Sequence, residues 1–404
     1  MTTLQQRLGR PAVIRARAAR MVAGRDTGDR RSPHRARTAW TDRKVTMTMT
    51  GSTTETMTGA WLPGDSTVDL RVVPVPTPAA GQVLLRMRAS TICGSDLRAI
   101  YHGHVGPEPY DDVIAGHEPC GEVVETHPGS RLRPGDRVVV YHIVGCLRCR
   151  SCRAGSFITC EATFPEKLAY GYQRDGGHAE YLLAEEQSCV PLPDELSFVD
   201  GAAVACGFGT AYEAIVRAEV NGRDAVLVTG LGPVGLAAGL LAKAMGAERV
   251  IGYNRSPTRS ELATSLGAVD EVVTPGSSPD QVVEQVMELT NGRGVEVAVD
   301  CSGAAPLRGA ALRATRAEGR LVLVGEGGGL ELDVSEWVIH PQRRILGSWV
   351  TSVPRMEDLL EHLVRWDLHP ERTVTARFPL AQAQDAYTLA GSSSAGKVAI
   401  VMSE

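Results

Sequence analysis

The stretch AVLVTGLGPVGLAAGLLAKAM, residues 225–245, decides the fold. Ala225–Thr229 is an apolar run of strand length, and Val234–Met245 has the length and composition of a helix. Between them Gly230, Gly232 and Gly235 give the spacing G-x-G-x-x-G, with Pro233 and Val234 opening the helix. In this strand-to-helix context the glycines permit a tight turn and close approach of backbone to a pyrophosphate. The helix N-terminus then offers unpaired N–H groups and partial positive charge.

Downstream the rhythm continues. Arg249–Tyr253 reads as a strand, Pro257–Leu266 as a helix, and Val295–Asp300 and Arg320–Gly325 as further strands. Alternation of this kind predicts an α/β, doubly wound parallel sheet. The second strand should end where a dinucleotide ribose lies. An Asp or Glu there grips both ribose hydroxyls, but this chain has Asn254, followed by Arg255 and Arg259. A neutral Asn removes repulsion toward a 2′-phosphate and two guanidiniums can pair with it, so the reading leans to NADP(H). The alternative is Asn254 on the ribose of NAD with both arginines solvated.

Upstream the pattern differs. Val68–Val73, Gln82–Arg88, Gly121–Glu125 and Arg137–Tyr141 are short Val- and Leu-rich runs separated by turn signals, which predicts a β-rich domain. Met356–Trp366 reads as a helix, and Lys397–Met402 as a closing strand that returns to that domain.

Charge is unevenly spread. Residues 1–44 hold eleven Arg and one Lys against three Asp, a net +9, so the remainder carries −14 of the overall −5. The acidic body favours neither nucleic acid nor a membrane surface. Residues 1–56 show no sustained period and are expected to be a disordered basic extension. They resemble an organellar transit peptide; the alternatives are a start at Met47, Met49 or Met57, or a dispensable basic arm. No apolar run convincingly spans a membrane, and without a secretory signal the expected location is cytoplasmic.

Nine Cys are many for such a chain, and Cys146, Cys149, Cys152 and Cys160 crowd into C-x2-C-x2-C-x7-C. Four thiolates at this spacing close a tetrahedral zinc shell with no open position, which makes a structural site. Three further cues lie far apart: Cys93-Gly-Ser95-Asp96, Gly116-His117-Glu118 and Cys206-Gly-Phe-Gly-Thr210. Together they offer two thiolates and an imidazole, leaving a fourth position on a catalytic zinc for water or substrate. Cys120, Cys189 and Cys301 read as small buried hydrophobes.

With these motifs in this order, the chain from about Met57 onward resembles the zinc-containing medium-chain dehydrogenase/reductase family, which includes alcohol, sorbitol and threonine dehydrogenases. The resemblance implies a GroES-like β-barrel catalytic domain (57–206, with the knuckle at 146–160), a Rossmann domain (207–346) and a C-terminal segment (347–404) returning to the first. It implies Cys93, His117 and Cys206 as catalytic zinc ligands, with Glu118 near enough to replace a ligand transiently. Asp96 would accept a hydrogen bond from His117, and Ser95 would take the substrate proton. Thr210 would sit by the nicotinamide and Lys397 by the cofactor phosphates. Two zinc ions per chain, NAD(P) and a homodimer or homotetramer follow from the same resemblance.

The subfamily hints conflict. The residues around Cys206 resemble classical alcohol dehydrogenases, while Cys93-Gly-Ser95-Asp96-Leu resembles polyol and threonine dehydrogenases. Where many relatives carry a proton-relaying His, this chain has Arg98, which cannot act as a base near neutral pH; His102 is the substitute suggested here. The expected reaction is hydride transfer between a small-molecule alcohol, a secondary alcohol or polyol favoured, and NAD(P). His102, His104 and Glu108 would form either a polar substrate wall or a solvated loop, with Phe208 and Trp349 as apolar walls. The rivals are a zinc-free enone or quinone reductase and a non-catalytic NADPH-binding protein; both leave the metal-ligand cues unexplained.

Overall fold

A computed structural model of the chain describes residues 55–103, 112–163, 168–392 and 394–402. The reading of residues 1–56 falls outside them but for Glu55 and Thr56, as do His104 and Glu108. Among the described residues no helix is long and apolar enough to cross a membrane.

The parallel sheet has six strands, in the order Glu271–Val272, Arg249–Tyr253, Ala225–Thr229, Val295–Asp300, Thr315–Leu323, Arg344–Gly347. Every neighbouring pair is parallel. Ala225–Thr229 and Val295–Asp300 are buried along their whole length, which explains the apolar runs Ala225–Val228 and Val297–Val299: both faces are covered, and the buried Glu296 and Asp300 accept hydrogen bonds. Period-2 alternation divides one strand between two cores. Val226 and Val228 pack with Ala237, Ala238 and Leu241 of the helix Pro233–Ala244, while Ala225 and Leu227 pack with Val282, Val286 and Leu312.

Strand order reverses at Ala225–Thr229: the chain moves outward from it to one side through Arg249–Tyr253 and Glu271–Val272, then to the other side through Val295–Asp300 and the strands after it. The glycine turn leaves its C-terminal end, the position at which open α/β sheets bind ligands. Gly230 holds φ +88°, and a Cβ there would come within 2.7 Å of the Ser302 nitrogen. A Cβ on Gly235 would fall 1.9 Å from the Gly230 oxygen. Both positions therefore exclude any larger residue. Pro233 occupies the first helical turn, where its missing N–H costs nothing.

The other sheet is mixed and has seven strands. Its main path runs Val374–Pro379, Lys397–Val401, Gln82–Ile92, Pro119–Thr126, Arg137–Val140, Cys189–Pro191, and Tyr181–Glu185 also pairs with Gln82–Ile92. The long strand Gln82–Ile92 has irregular register between Leu84 and Leu85 and between Met87 and Ala89. Such bulges bend a strand and let it serve different partners along its length. Here Tyr181–Glu185 pairs with Gln82–Arg86 and Lys397–Val401 with Ala89–Ile92. Val83, Leu85 and Met87 point to one core with Val123, Val138, Val140 and Leu182. Both sheets belong to one compact unit, Thr53–Glu404.

Candidate metal and cofactor sites

Cys93 caps the short helix Gly94–Asp96 at the end of the central mixed-sheet strand. Asp96, fully buried, accepts from the Cys93 backbone N–H with Oδ2 at 2.9 Å and from His117 Nδ1 with Oδ1 at 2.7 Å. A carboxylate only accepts, so it fixes the proton on Nδ1 and leaves Nε2 bare for a metal. His117 follows Gly116, whose φ of +94° turns the chain where a Cβ would collide with the His178 ring. Cys206 sits in the π-helical turn Val204–Phe208, an uncommon bulge that shifts side-chain direction within a helix. Thr210 lies one turn on, its Oγ1 3.9 Å from the Cys206 sulfur.

One ligand atom from each of Cys93, His117, Glu118 and Cys206 lies within 4.8 Å of the others. Three segments far apart in sequence thus bring two thiols, an imidazole and a carboxylate to one point. The hydrogen bond from Cys206 drives the Cys93 thiol well below its ordinary range, with His117 helping and burial opposing. The same bond, with burial, drives Cys206 well above it. Two buried thiols sharing a proton in this way ionise together only if a cation joins them. Burial pushes Glu118 up to about 7 against the pull of Lys397. Its Oε1 is buried without a hydrogen-bond partner. Soft sulfur donors, an imidazole and an orphaned carboxylate oxygen fit zinc.

The second cluster is Cys146, Cys149, Cys152 and Cys160, also within 4.8 Å of one another. Backbone N–H groups of Cys146, Cys149 and Cys152 each donate to a neighbouring cysteine sulfur at 3.4 Å. The Cys146 and Cys152 sulfurs stand 3.9 Å apart. Two sulfurs on a tetrahedral zinc at about 2.3 Å would be roughly 3.8 Å apart, far from a disulfide at about 2 Å. These residues fit a closed zinc site.

At the glycine turn, Asn254 Oδ1 accepts from the Leu231 backbone N–H at 3.1 Å and its amide donates to the Ser256 carbonyl at 3.4 Å. The Arg259 guanidinium lies over the turn: a Cβ on Gly232 would meet its Nη1 at 3.5 Å. Its Nε is buried with no partner, and burial lowers its pKa. A guanidinium desolvated without a carboxylate suits an anionic ligand. Arg255 is exposed just past the strand Arg249–Tyr253. Asp300 accepts from Thr229, Ser302, Gly303 and Arg308, which fixes the loop against Gly230.

Other candidates stand elsewhere. His102 bonds the Ser66 hydroxyl at 3.0 Å and lies edge-on to Tyr101, so the relay suggested for it has no support in its contacts. Lys397 has a partner the sequence did not foretell: its ammonium, 3% exposed, pairs with Glu118. Phe208 is buried, and Trp349 is 48% exposed.

Sequence reasoning missed three residues. Tyr172 packs its ring 5.2 Å from His117 and hydrogen-bonds Ser95. His142 lies 5.1 Å from His117, ring to ring, and its Nδ1 donates to the Ala205 carbonyl at 3.2 Å. Burial lowers His142 to about 3, so it stays neutral with Nε2 as an acceptor. Thr91 donates to Glu118. None belongs to a motif, and a lone Tyr or His beside a strand carries no signal.

A parallel dinucleotide-type sheet joined to a mixed sheet bearing a thiolate–imidazole centre defines a metal-dependent oxidoreductase. Comparison with known proteins agrees. Residues 79–194 match the alcohol dehydrogenase GroES-like domain, and 233–365 match the zinc-binding dehydrogenase domain. The zinc-type alcohol dehydrogenase-like protein YphC of Escherichia coli K12 is 51% identical over 86% of this chain and 99% of its own length. Sorbitol dehydrogenase of Gallus gallus is 32% identical over 79% of this chain and 89% of its own. A solved structure described as a zinc-binding dehydrogenase from Sinorhizobium meliloti 1021, bound to NADP, superposes with a TM-score of 0.75 at 27% identity, covering 86% of this chain and 99% of the other. The chain belongs to the zinc-containing medium-chain dehydrogenase/reductase family, with a GroES-like domain and a Rossmann domain, and is an NAD(P)-dependent oxidoreductase of the alcohol dehydrogenase type.

Proposed function

We propose that this chain interconverts a secondary alcohol or polyol and its carbonyl compound, with a lean to NADP(H) and with two zinc ions per chain. The observation that carries this reading is the convergence of Cys93, His117 and Cys206 on one point, with Ser95 in the short helix that Cys93 caps. A zinc ion held by those three side chains would polarise a substrate hydroxyl, lowering its pKa from roughly 16 toward 7, and a nicotinamide would take the hydride.

The chain's own groups do the rest. Asp96 holds the His117 tautomer and the Cys93 backbone together. Ser95 Oγ receives the substrate proton, and the Tyr172 hydroxyl bonded to it extends the path where Arg98 cannot. Thr210 and the Cys206 turn form the wall toward the nicotinamide. Gly230, Gly232, Pro233, Val234 and Gly235 present backbone to the pyrophosphate. Asn254, Arg255 and Arg259 meet the ribose and its 2′-phosphate, in keeping with the NADP-bound relative. The polar wall of His142 and Tyr172 favours a substrate with a second hydroxyl, as a polyol has.

The same reading assigns Cys146, Cys149, Cys152 and Cys160 to the structural zinc. It places the catalytic domain at 57–206, the Rossmann domain at 207–346 and the return segment at 347–404, in a cytoplasmic homodimer or homotetramer.

Metal analysis with kinetics on a panel of alcohols, polyols and hydroxy acids tests it. About two zinc per chain and turnover on secondary hydroxyls are expected; zero zinc refutes the metal reading. A tenfold or greater preference in kcat/KM for NAD refutes the cofactor lean. Arg259→Ala should raise KM for NADP by at least about tenfold, the worth of a charge-assisted pair, and leave NAD little changed.

A further inference from the structure

The strand order of the mixed sheet sets Lys397 and Glu118 on opposite sides of Thr91. Lys397 opens the strand that pairs with Ala89–Ile92 on one side, in a register that puts Val398 opposite Ile92. Glu118 immediately precedes the strand that pairs on the other side, where Pro119 faces Ser90. The two side chains meet over Thr91, whose hydroxyl and the Lys397 ammonium both donate to the same carboxylate oxygen, Oε2. The other oxygen, Oε1, is buried and bonded to nothing. A ligand atom of this carboxylate lies within 4.8 Å of the Cys93, His117 and Cys206 ligand atoms. Glu118 is therefore within a short swing of becoming a fourth protein ligand, which would fill the position a substrate needs.

We infer that Lys397 is a positioning residue that holds Glu118 back and so keeps the metal centre open. Two thiolates balance a divalent cation, which leaves the Glu118 charge to be met by Lys397 alone. A buried carboxylate without its cation is strongly disfavoured. With Lys397 neutralised, the oxygen now tied to the ammonium is released, and the nearest positive charge is the metal. A purely structural ion pair would behave otherwise, since its loss would loosen the site rather than close it.

The inference rests on the metal reading above, and the test separates the two. Cobalt-loaded protein is titrated with imidazole, and the cobalt d–d spectrum reports its entry into an open position. The Cys146–Cys160 site has no open position and stays silent. Wild type should respond; if it does not, the metal reading fails. Lys397→Met should weaken imidazole binding by at least about tenfold and slow cobalt removal by EDTA, because four protein ligands now hold the ion. Lys397→Arg should behave as wild type, and adding Glu118→Gln to Lys397→Met should restore the imidazole response to within about threefold. Lys397→Gln carries the same expectation as Lys397→Met should the latter fold poorly. Unaltered imidazole binding in these lysine variants, faster cobalt loss, or no rescue by Glu118→Gln overturns the inference.

Discussion

Replacing Asp96 by Asn tests whether one carboxylate organises the catalytic centre. The substitution keeps shape and volume, so it opens no cavity at a fully buried position. It changes the count of acceptors. Asp96 accepts from Cys93 N–H at 2.9 Å with one oxygen and from His117 Nδ1–H at 2.7 Å with the other. An amide has one acceptor and one donor group, so one of these bonds is lost or the imidazole changes tautomer and turns a proton toward the metal. A hydrogen bond to a buried charged group is worth about 1.5–3 kcal/mol, or roughly 10- to 150-fold in an equilibrium. Partners that orient metal-bound histidines cost about 10- to 100-fold when removed, which agrees. The assay is zinc content after dialysis against a graded chelator, alongside kcat/KM. Asp96→Asn should release one zinc at a chelator concentration at least about tenfold lower than wild type and retain the other, since the knuckle is independent. Wild-type retention of both ions, with unchanged kcat/KM, would refute the assignment of His117 as a ligand oriented by Asp96.

Gly235→Ala should abolish cofactor binding and destabilise the fold by at least about 2 kcal/mol, because its Cβ would lie 1.9 Å from the Gly230 oxygen; titration calorimetry and thermal melts report both. Cys149→Ala should remove one zinc and lower Tm by at least about 5 °C while Cys93→Ala abolishes activity with Tm nearly unchanged, separating the two metals by calorimetry and turnover. Stability should fall at both pH extremes. At Asp270 burial is outweighed by Lys243, and at Glu186 burial is outweighed by the Arg131 backbone and His127, so both carboxyls lie below their ordinary values. What they contribute is present above about pH 4 and lost as pH falls through the folded-state values. The Asp200 hydrogen bond raises His369 above 6.5, so its contribution is present below that value and lost as pH rises through the folded one. The Tm difference between wild type and His369→Gln should therefore shrink as pH rises beyond 6.5; a constant difference contradicts the assignment.

The strands and helices of the nucleotide half were legible because their information is local. A strand, a glycine turn and a helix adjoin in sequence, and Ala225–Thr229, Arg249–Tyr253 and Val295–Asp300 are found at the positions read from the chain. The knuckle was legible for the same reason: its four cysteines fall within fifteen residues. Around Cys93 the sequence marked only the residues proposed as ligands, which the structure brings together. The Lys397–Glu118 pair joins residues on two strands that flank a third, and nothing near either residue records the register that brings them together. His142 and Tyr172 look like ordinary members of a bend and a turn until the His117 ring is placed beside both. Arg320–Gly325 was read too short at its start, because the strand begins at Thr315 and passes Glu318 at φ +61°, a left-handed kink that apolar periodicity does not reveal.

The pairing of Lys397–Val401 with Ala89–Ile92 also governs the order in which a growing chain can finish its work. A ribosome delivers Cys93, His117 and Cys206 long before it delivers Lys397. A nascent polypeptide can therefore gather its metal ligands early, yet it lacks the counter-charge for Glu118 until about three hundred further residues have emerged after Ile92. On the inference above, an open metal centre is acquired only at the end of synthesis, when the last strand takes its place between Val374–Pro379 and Gln82–Ile92.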